Sequence, residues 1–309
     1  MEEPLGEKNK SEKKTMKEYA CMKKWNSITE RFAESKAFVG ELEVLAEIAA
    51  PQFQLPEYDK ENPDPEGNYY GPTIGCQGGC FDGRYFYQTF LKYCYNKGEQ
   101  YGRFHVNNAK NIMCIVKYDV LEGKVALVSK EMDFLNHGND MTYHPKKNQI
   151  IICNNAGDKR RISFLNADTL EYEGSQLLDV ELFGIDYHEA TEQYVLGISG
   201  SYQFAIANND FTEIRFGYGG VKESHNYTKQ NLCCDDQYVY CLYSNSKNRA
   251  GADAIFVYDW NGKFITFIDI NFEMQEPENL SVYNGALFVG AGDKGQVYFY
   301  HIFDLLKEN

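Results

Sequence analysis

The chain has 309 residues, of which 43% are hydrophobic and 15% aromatic, and its formal net charge is −14 at pH 7. This composition excludes a largely disordered chain, and the acidic balance disfavours binding to nucleic acid or to an anionic membrane surface. No apolar run of 18 residues occurs, so no membrane insertion is expected.

The N-terminal region differs in character from the rest of the chain. Residues 1–14 are highly charged, and apolar residues spaced by three and four over residues 16–32 predict an amphipathic helix. Residues 1–36 are therefore predicted to be a charged tail and a helix. No signal-peptide hydrophobic region is present, which predicts a cytoplasmic location as the sequence stands, and an extracellular one if a leader has been removed.

From Gly71 onwards, short apolar strands alternate with turns that contain Gly, Asn or Asp. The clearest turn is Asn284-Gly285, since Asn-Gly between apolar runs is a strong hairpin signal. Five segments share the same order of polar entrance, short strand, turn and apolar strand. They begin near Gly75, His137, Phe183, Lys229 and Glu276.

Each of these five units continues with a strand that ends in an Asp-containing turn. The turns lie at Asp119, Asp168, Asp210, Asp259 and Asp304. Self-similarity at roughly 40–50 residues, with several short strands in each period, is the signature of a β-propeller. The sequence therefore predicts an all-β fold, a five-bladed β-propeller over residues 37–309 with a short N-terminal helical extension. Because the last unit ends soon after its third strand, the segment 37–50 is predicted to supply a closing fourth strand.

In a propeller the first strand of each blade lines the central channel, so polar residues there are candidates for a ligand site. The aligned first-strand positions are predicted to be Gln77, Asp140, Asp186, Gln230 and Glu278, with His137, Asn139, Lys229 and Glu276 nearby. If the protein is an enzyme, His137, Asp140 and Glu278 are the catalytic candidates, and the other six residues bind the ligand. Polar residues in a channel can also hold only ordered water, and this alternative stays open.

The sequence assigns no cofactor. Asp140, Asp186 and Glu278 could hold Ca²⁺ through their oxygen atoms, which is the ligand type that this ion prefers. No EF-hand or other dedicated metal loop occurs, the Cys residues form no paired C-x2-C pattern, and no metal site is predicted. The Gly-rich stretch 217–220 lacks the Lys-Ser/Thr of a phosphate-binding loop.

The segments HGNDMTY, GIDY, KQNLCCDDQYVYCLYS, VYDWNGKFI and EPENLSVYNGALFVG resemble five-bladed propellers of teichoic-acid-associated and phage receptor-binding proteins. The resemblance covers about residues 71–302. It implies recognition of a cell-surface glycan or related polyol, and it brings no established catalytic set. The missing signal, the charged N-terminal extension and the Cys content depart from this family and count against an extracellular location.

The preferred function is binding of a small polar ligand, such as a sugar or sugar acid, at the mouth of the channel. A first alternative is an enzyme at the same site, either a glycoside hydrolase, which needs two carboxylates about 5–10 Å apart, or a lyase or cyclase. The lyase or cyclase would use His137 as a base and Lys229 to bind an anion. A second alternative is a protein-interaction scaffold, which predicts an exposed aromatic patch on a blade and an inert channel.

Overall fold

The computed structural model describes residues 44–53, 60–96, 111–135, 137–154, 158–201, 203–219, 228–244, 253–270, 276–293 and 295–304. This part of the chain contains strands and turns but no helix, and so no helix that could cross a membrane. The helix predicted over residues 16–32 lies outside the described residues.

In the described part of the chain, twenty strands form five four-stranded antiparallel sheets, which are the blades. The first described strand is β1 (Val44–Ala49). Blade 1 contains β2 (Asn68–Phe81), β3 (Tyr85–Asn96), β4 (Ile112–Asp119) and β5 (Lys124–Val128). Blade 2 contains β6 (Asp140–His144), β7 (Gln149–Cys153), β8 (Arg161–Asn166) and β9 (Tyr172–Leu177). Blade 3 contains β10 (Leu182–His188), β11 (Gln193–Ile198), β12 (Phe204–Ala207) and β13 (Ile214–Tyr218). Blade 4 contains β14 (Thr228–Cys234), β15 (Tyr238–Ser244), β16 (Asp253–Asp259) and β17 (Phe264–Ile270). Blade 5 contains β18 (Glu276–Tyr283), β19 (Ala286–Asp293), β20 (Gln296–Asp304) and β1.

The first strands of the blades form a closed ring. Each of β2, β6, β10 and β14 contacts the first strand of the next blade, and β18 contacts β2. These five inner strands run in the same direction. Hydrogen bonds between neighbouring strands show it, since residues further along one strand bond to residues further along the next. The predicted all-β, five-bladed propeller is confirmed.

Blade 5 takes its outer strand from the segment that precedes blade 1. β1 pairs antiparallel with β20, from Val44 opposite Tyr300 to Ala49 opposite Gln296. The side chain of Ile48 is buried between blades 5 and 1, where it joins an apolar cluster that includes Phe86. This pairing joins the start of the described chain to its end and covers the edge of β20, which would otherwise be open.

The core is divided among the interfaces between blades. Five apolar clusters are present, one between each pair of neighbouring blades. Because each blade is covered on both faces by its neighbours, a strand near the axis such as β7 contains a continuous run of buried apolar residues. Aromatic rings provide much of the contact, as in the edge-to-face pair of Phe86 and Phe299, whose centroids are 4.1 Å apart.

Asp residues fix several hairpin turns through their carboxylates. Asp82 accepts two backbone N–H groups of the turn that follows it, and Tyr87 Oη donates to its other oxygen at 2.6 Å. Asp235 and Tyr240 repeat the arrangement in blade 4 at 2.7 Å. Asp259 likewise accepts two backbone N–H groups of its own turn. Local turn chemistry accounts for these residues.

Candidate functional site

The five inner strands begin at one end of the propeller axis, and we call this end the upper mouth. β-Bulges interrupt the inner strands of four blades at this level, and they fall between Cys76 and Gly79, Leu182 and Gly184, Lys229 and Asn231, and Pro277 and Asn279. Gln77, Phe183, Gln230 and Glu278 lie within the bulges. A bulge turns the side chain of the extra residue away from the normal alternation, and bulges occur often beside active sites.

The structure corrects part of the predicted alignment. His144 and His188 close β6 and β10 before turns of equal length, so Asn139 lies level with Phe183. Asp140 is therefore one residue beyond the ring of the upper mouth, and Asp186 is three residues beyond it. The prediction that these two carboxylates share the level of Gln77, Gln230 and Glu278 is wrong, because bulges change the register from blade to blade.

Asp140 ties three blades together. Its side chain is buried, and its two oxygens accept the backbone N–H groups of Met141 at 2.8 Å, Ile185 at 2.9 Å and Leu232 at 3.3 Å. Asn231 Nδ2 of blade 4 donates to Asp140 Oδ1 as well. Burial raises the pKa of Asp140 well above its usual range, and the backbone N–H donors oppose that rise. Four donors from the protein itself therefore engage the carboxylate oxygens of Asp140.

The predicted pair of His137 and Asp140 is not joined by a hydrogen bond in the structure, since the four donors of Asp140 do not include His137. His137 is half-buried. Asn139, which was predicted to bind a ligand, is buried, and its Nδ2 donates to the backbone oxygens of Phe183 and Gln230, the latter at 2.6 Å. Asn139 therefore braces blades 2, 3 and 4 at the level of the upper mouth.

Asp186 is also held by neighbouring blades. Thr142 Oγ1 donates to Asp186 Oδ1 at 2.9 Å, and the backbone N–H of Cys234 donates to Asp186 Oδ2 at 2.8 Å. Burial raises the pKa of Asp186. These bonds place it below the brace formed by Asn139 and Asp140, so Asp186 does not lie with the residues of the upper mouth.

The acidic side of the upper mouth is formed by two carboxylates and two amides. Gln230 Nε2 donates to Glu276 Oε1 at 2.9 Å and to Ser244 Oγ at 2.8 Å. The amide of Gln77 acts on the carboxylate of Glu278. Burial and the neighbouring Glu276 raise the pKa of Glu278 well above its usual range, against a lowering by Gln77. Glu276 is exposed and Glu278 is partly exposed.

Gln77 carries an unsatisfied acceptor. Its side chain is 3% exposed, and its Oε1 has no hydrogen-bond partner within the described part of the chain. Buried polar atoms are nearly always hydrogen-bonded, and an exception in a native fold calls for an explanation such as an absent ligand or water. The unsatisfied oxygen belongs to the same amide group that lowers the pKa of Glu278.

The basic side of the upper mouth lies over blades 2 and 3. Lys229 Nζ is 5.7 Å from the centroid of the Phe183 ring, a cation–π contact. Burial, together with the charge of Lys159, lowers the pKa of Lys229 to about 8. The backbone oxygen of Lys159 accepts the N–H of Leu182 at 2.8 Å, which fixes this lysine beside the start of β10.

Sequence reasoning missed three residues of this mouth. Phe183 is apolar, so a search for polar residues on the inner strands does not find it. Its position in the bulge of β10 identifies it as a residue of the upper mouth. Ser244 lies opposite Thr228 in the β14–β15 hairpin. The sequence could have predicted this pairing by counting residues outward from the turn along both strands. Lys159 comes from the connection between β7 and β8, which a survey of inner strands does not reach.

The structure does not support Ca²⁺ binding by the predicted carboxylates. Among the described residues, no group of three or more His, Cys, Asp or Glu side chains is placed to hold a metal ion. The carboxylate oxygens of Asp140 and Asp186 also accept hydrogen bonds from N–H and O–H donors of adjoining blades. The eight described Cys residues are buried and form no disulfide among themselves.

Exposed aromatic side chains lie on outer strands of the blades. Phe216 belongs to β13, and Phe264 and Phe267 belong to β17. Phe134 and Tyr172 form an edge-to-face pair at 4.6 Å beside blade 2. Such side chains are what a scaffold requires, but single exposed apolar residues are normal on protein surfaces. The scaffold alternative stays a prediction.

No protein-family model and no curated protein matches the chain. Among solved structures, it is similar to the Cps50 (Swd1) β-propeller domain of Myceliophteria thermophila at 10% identity and a TM-score of 0.37, over 71% of this chain and 62% of that one, so it spans less than two thirds of that chain's length. It is similar to glutaminyl cyclase of Myxococcus xanthus at 11% identity and a TM-score of 0.47, over 76% and 94% of the two chains. The Pan2 WD40 domain of Neurospora crassa matches at 8% identity and a TM-score of 0.40, over 86% and 97%. Likenesses this distant carry no argument about activity, ligand or partner.

Proposed function

We propose that this protein binds a small polar ligand at the upper mouth of the propeller. The observation that carries the proposal is the group of polar side chains at this mouth, where Gln230 Nε2 donates to the exposed Glu276 at 2.9 Å and Gln77 acts on the carboxylate of Glu278. Ligand sites typically contain a few converging polar groups, and Gln230 and Glu276 from neighbouring blades supply such groups.

The candidate ligand site contains fewer residues than the polar positions of the inner strands predicted. Asp140, Asp186 and Asn139 hold the blades together, so the ligand is left to Gln77, Glu278 and the residues around them. Carboxylates accept hydrogen bonds from vicinal hydroxyl groups, which fits a sugar, a sugar acid or another polyol. The choice of a cell-surface glycan in particular rests on the sequence resemblance to teichoic-acid-associated and phage receptor-binding propellers.

Isothermal titration calorimetry with neutral sugars, sugar acids, polyols and small amines tests the proposal on the full chain. At least one probe is expected to bind the wild-type protein, with affinity reduced about tenfold or more in Glu278→Gln and in Gln77→Ala. Glu181→Gln, at an exposed site between blades 2 and 3, is the matched control and should bind as wild type does. If no probe binds, or if binding does not depend on Glu278, the proposal is wrong.

A second candidate is hydrolysis at the same carboxylates. The specific observation is that the pKa of Glu278 is raised by burial and by the nearby Glu276, as expected for a general acid beside a second carboxylate. Glu278 would protonate a leaving group while Glu276 served as the nucleophile or base. Release of nitrophenol from a panel of nitrophenyl glycosides would show it, provided that both Glu278→Gln and Glu276→Gln abolish turnover. Binding without turnover of any probe would leave only the binding function.

A further inference from the structure

The first hairpin of blade 1, formed by β2 and β3, is longer than its counterparts. These strands contain 14 and 12 residues, whereas the inner strands β6, β10, β14 and β18 contain between five and eight. β2 and β3 remain paired up to their far ends, Asn68 and Asn96, with one irregularity on the way. β2 begins nine residues before Gln77, while β18 begins two residues before Glu278. At a rise of about 3.3 Å per residue, the hairpin extends roughly 20 Å farther past the upper mouth than β18 does.

Tyrosine rings from β3 cover the inner strand of this hairpin. A Cβ atom at Gly75 would lie 2.5 Å from Tyr93 Oη, and a Cβ atom at Gly71 would lie 2.6 Å from Tyr95 Cε2. Any side chain at these two positions would collide with the rings, so glycine lets both tyrosines lie against the β2 backbone. Because β2 is the inner strand of blade 1, the hydroxyl end of Tyr93 is brought to the side of the blade that faces the axis.

Tyr69 extends this aromatic surface toward the far end of the hairpin. It lies directly opposite Tyr95 in the register of β2 and β3, and the two rings stack with their centroids 5.5 Å apart and their planes 21° apart. Tyr69, Tyr93 and Tyr95 are each partly exposed. We call these three residues the tyrosine wall.

The tyrosine wall adjoins the acidic side of the upper mouth. Cys76 follows the glycine that Tyr93 covers, and its Sγ fills the space beside Gly292 of blade 5. Gly292 pairs with Glu276, so blade 5 meets β2 at the level of the mouth carboxylates. Burial raises the pKa of Tyr93, and the charge of Glu278 raises it further, in agreement with this contact between the two blades.

Aromatic rings beside carboxylates and amides suit a ligand made of sugar rings. A pyranose ring has a face of C–H groups, which packs on an aromatic face, while its hydroxyl groups point outward to hydrogen-bonding partners. Gln230 and Glu276, joined at 2.9 Å, supply such partners at the mouth. A linear polyol has no flat apolar face to stack, and the mouth carboxylates would repel a polyanion.

We propose that the ligand of the upper mouth is an uncharged oligosaccharide, held at one end by the carboxylates and amides of the mouth and stacked along the tyrosine wall. The inference rests on the proposed function and narrows its ligand class to chains of pyranose rings. Tyr93 contacts the sugar ring nearest the mouth, and Tyr69 and Tyr95 contact rings farther along the chain.

Isothermal titration calorimetry on the full chain tests the requirement for a chain of rings. The probes are glucose, mannose, galactose and N-acetylglucosamine, each with its oligomers of two to six rings, together with the linear polyols glycerol and ribitol. In at least one series, affinity is expected to rise about tenfold or more from the single sugar to the longest oligomer, and the linear polyols should bind more weakly than that oligomer.

Variants locate the gain in affinity on the tyrosine wall. Tyr69→Leu and Tyr95→Leu keep apolar bulk but remove the aromatic face, and each should reduce the affinity for the longest oligomer about tenfold, whereas Tyr69→Phe keeps the ring and should keep the gain. Tyr172→Leu is the matched control, because Tyr172 also belongs to an exposed aromatic pair, with Phe134 beside blade 2, and should change nothing.

The outcomes separate this inference from the proposed function. If affinity does not depend on oligomer length, or if the gain survives in both leucine variants, the oligosaccharide inference is wrong, while binding that depends on Glu278 leaves the proposed function standing. A linear polyol that binds as tightly as every oligomer has the same meaning. If no probe binds in a way that depends on Glu278, both are wrong.

Discussion

Asn231 of blade 4 donates a hydrogen bond to Asp140 of blade 2, and this bond passes the inner strand of blade 3 that lies between them in the ring. Asn231 Oδ1 in turn accepts the backbone N–H of Leu280 in blade 5 at 3.1 Å. Asn279 of blade 5 donates to the backbone oxygen of Gly79 in blade 1 at 2.7 Å. The polar residues just below the upper mouth therefore connect all five blades, and their chemistry is structural.

Asp140→Asn is expected to destabilise the fold without removing any bulk. An amide can present only one acceptor oxygen, so its NH₂ group would face at least one of the N–H donors that the carboxylate now accepts. Leaving a buried donor unsatisfied costs about 1–3 kcal/mol, and urea unfolding should show a loss of free energy of unfolding in that range. Asp179→Asn, at an exposed position, is the control. Equal stability of Asp140→Asn and wild type would contradict the structural role.

Glu278→Gln is expected to have the opposite effect at neutral pH and to raise the Tm. Because burial and Glu276 raise the pKa of Glu278 in the fold, this group contributes its full stability only below its ordinary pKa of 4.5, and that contribution is lost as pH rises through the folded pKa. The difference in Tm between Glu278→Gln and wild type should therefore grow from pH 5 to pH 8 in differential scanning calorimetry.

A loss of stability in Glu278→Gln at every pH would show that this carboxylate is a structural group like Asp140. A gain in stability together with a loss of ligand affinity is the pattern expected for a functional residue that is held at a cost to the fold. Glu181→Gln again serves as the exposed control, with no change in Tm that depends on pH.

His144 is expected to make the fold sensitive to acid. Lys147 N–H donates to its Nδ1 at 3.3 Å, so Nε2–H donates to Asn209 Oδ1 at 2.6 Å, and the neutral ring stacks on Tyr187 at 4.2 Å. Burial lowers the pKa of His144 below 6.5, with Lys147 adding to the effect and Asn209 and Glu192 opposing it.

The unfolded chain therefore binds more protons at this histidine than the fold does, and stability should fall as pH drops below about 6.5. In His144→Gln, part of that fall should disappear, so the curves of unfolding free energy against pH for variant and wild type should converge on the acid side. Urea unfolding from pH 7.5 to pH 5 measures both curves. Parallel curves over the whole range would show that His144 does not cause the acid sensitivity.

The blades could be predicted from sequence because their signals are local. Turns such as Asn284-Gly285 and alternating apolar residues define hairpins, and the repeat of hairpins defines a propeller. The position of each inner-strand residue along the propeller axis could not be predicted. The alternation of apolar and polar residues looks the same after a shift of two residues, and a bulge breaks it. For this reason the sequence predicts Asp186 at the level of Gln230, whereas the structure has Phe183 at that level. The effect of Lys159 on the pKa of Lys229 acts between blades 2 and 4, and no short-range pattern encodes it.

Closure of the ring by β1 is expected to stabilise the whole propeller. Ile48 is 1% exposed and packs in the cluster between blades 5 and 1, so Ile48→Ala should cost about 2–5 kcal/mol of unfolding free energy. Ala49→Ser is the matched control, since Ala49 lies on the same strand with an exposed side chain and should cost little. Because β1 is the described strand that covers the edge of β20, a weakened β1 would expose that edge and favour self-association through it. Unfolding in urea, followed together with light scattering, would measure both effects, and a fully stable, monodisperse Ile48→Ala variant would show that the ring does not depend on this strand.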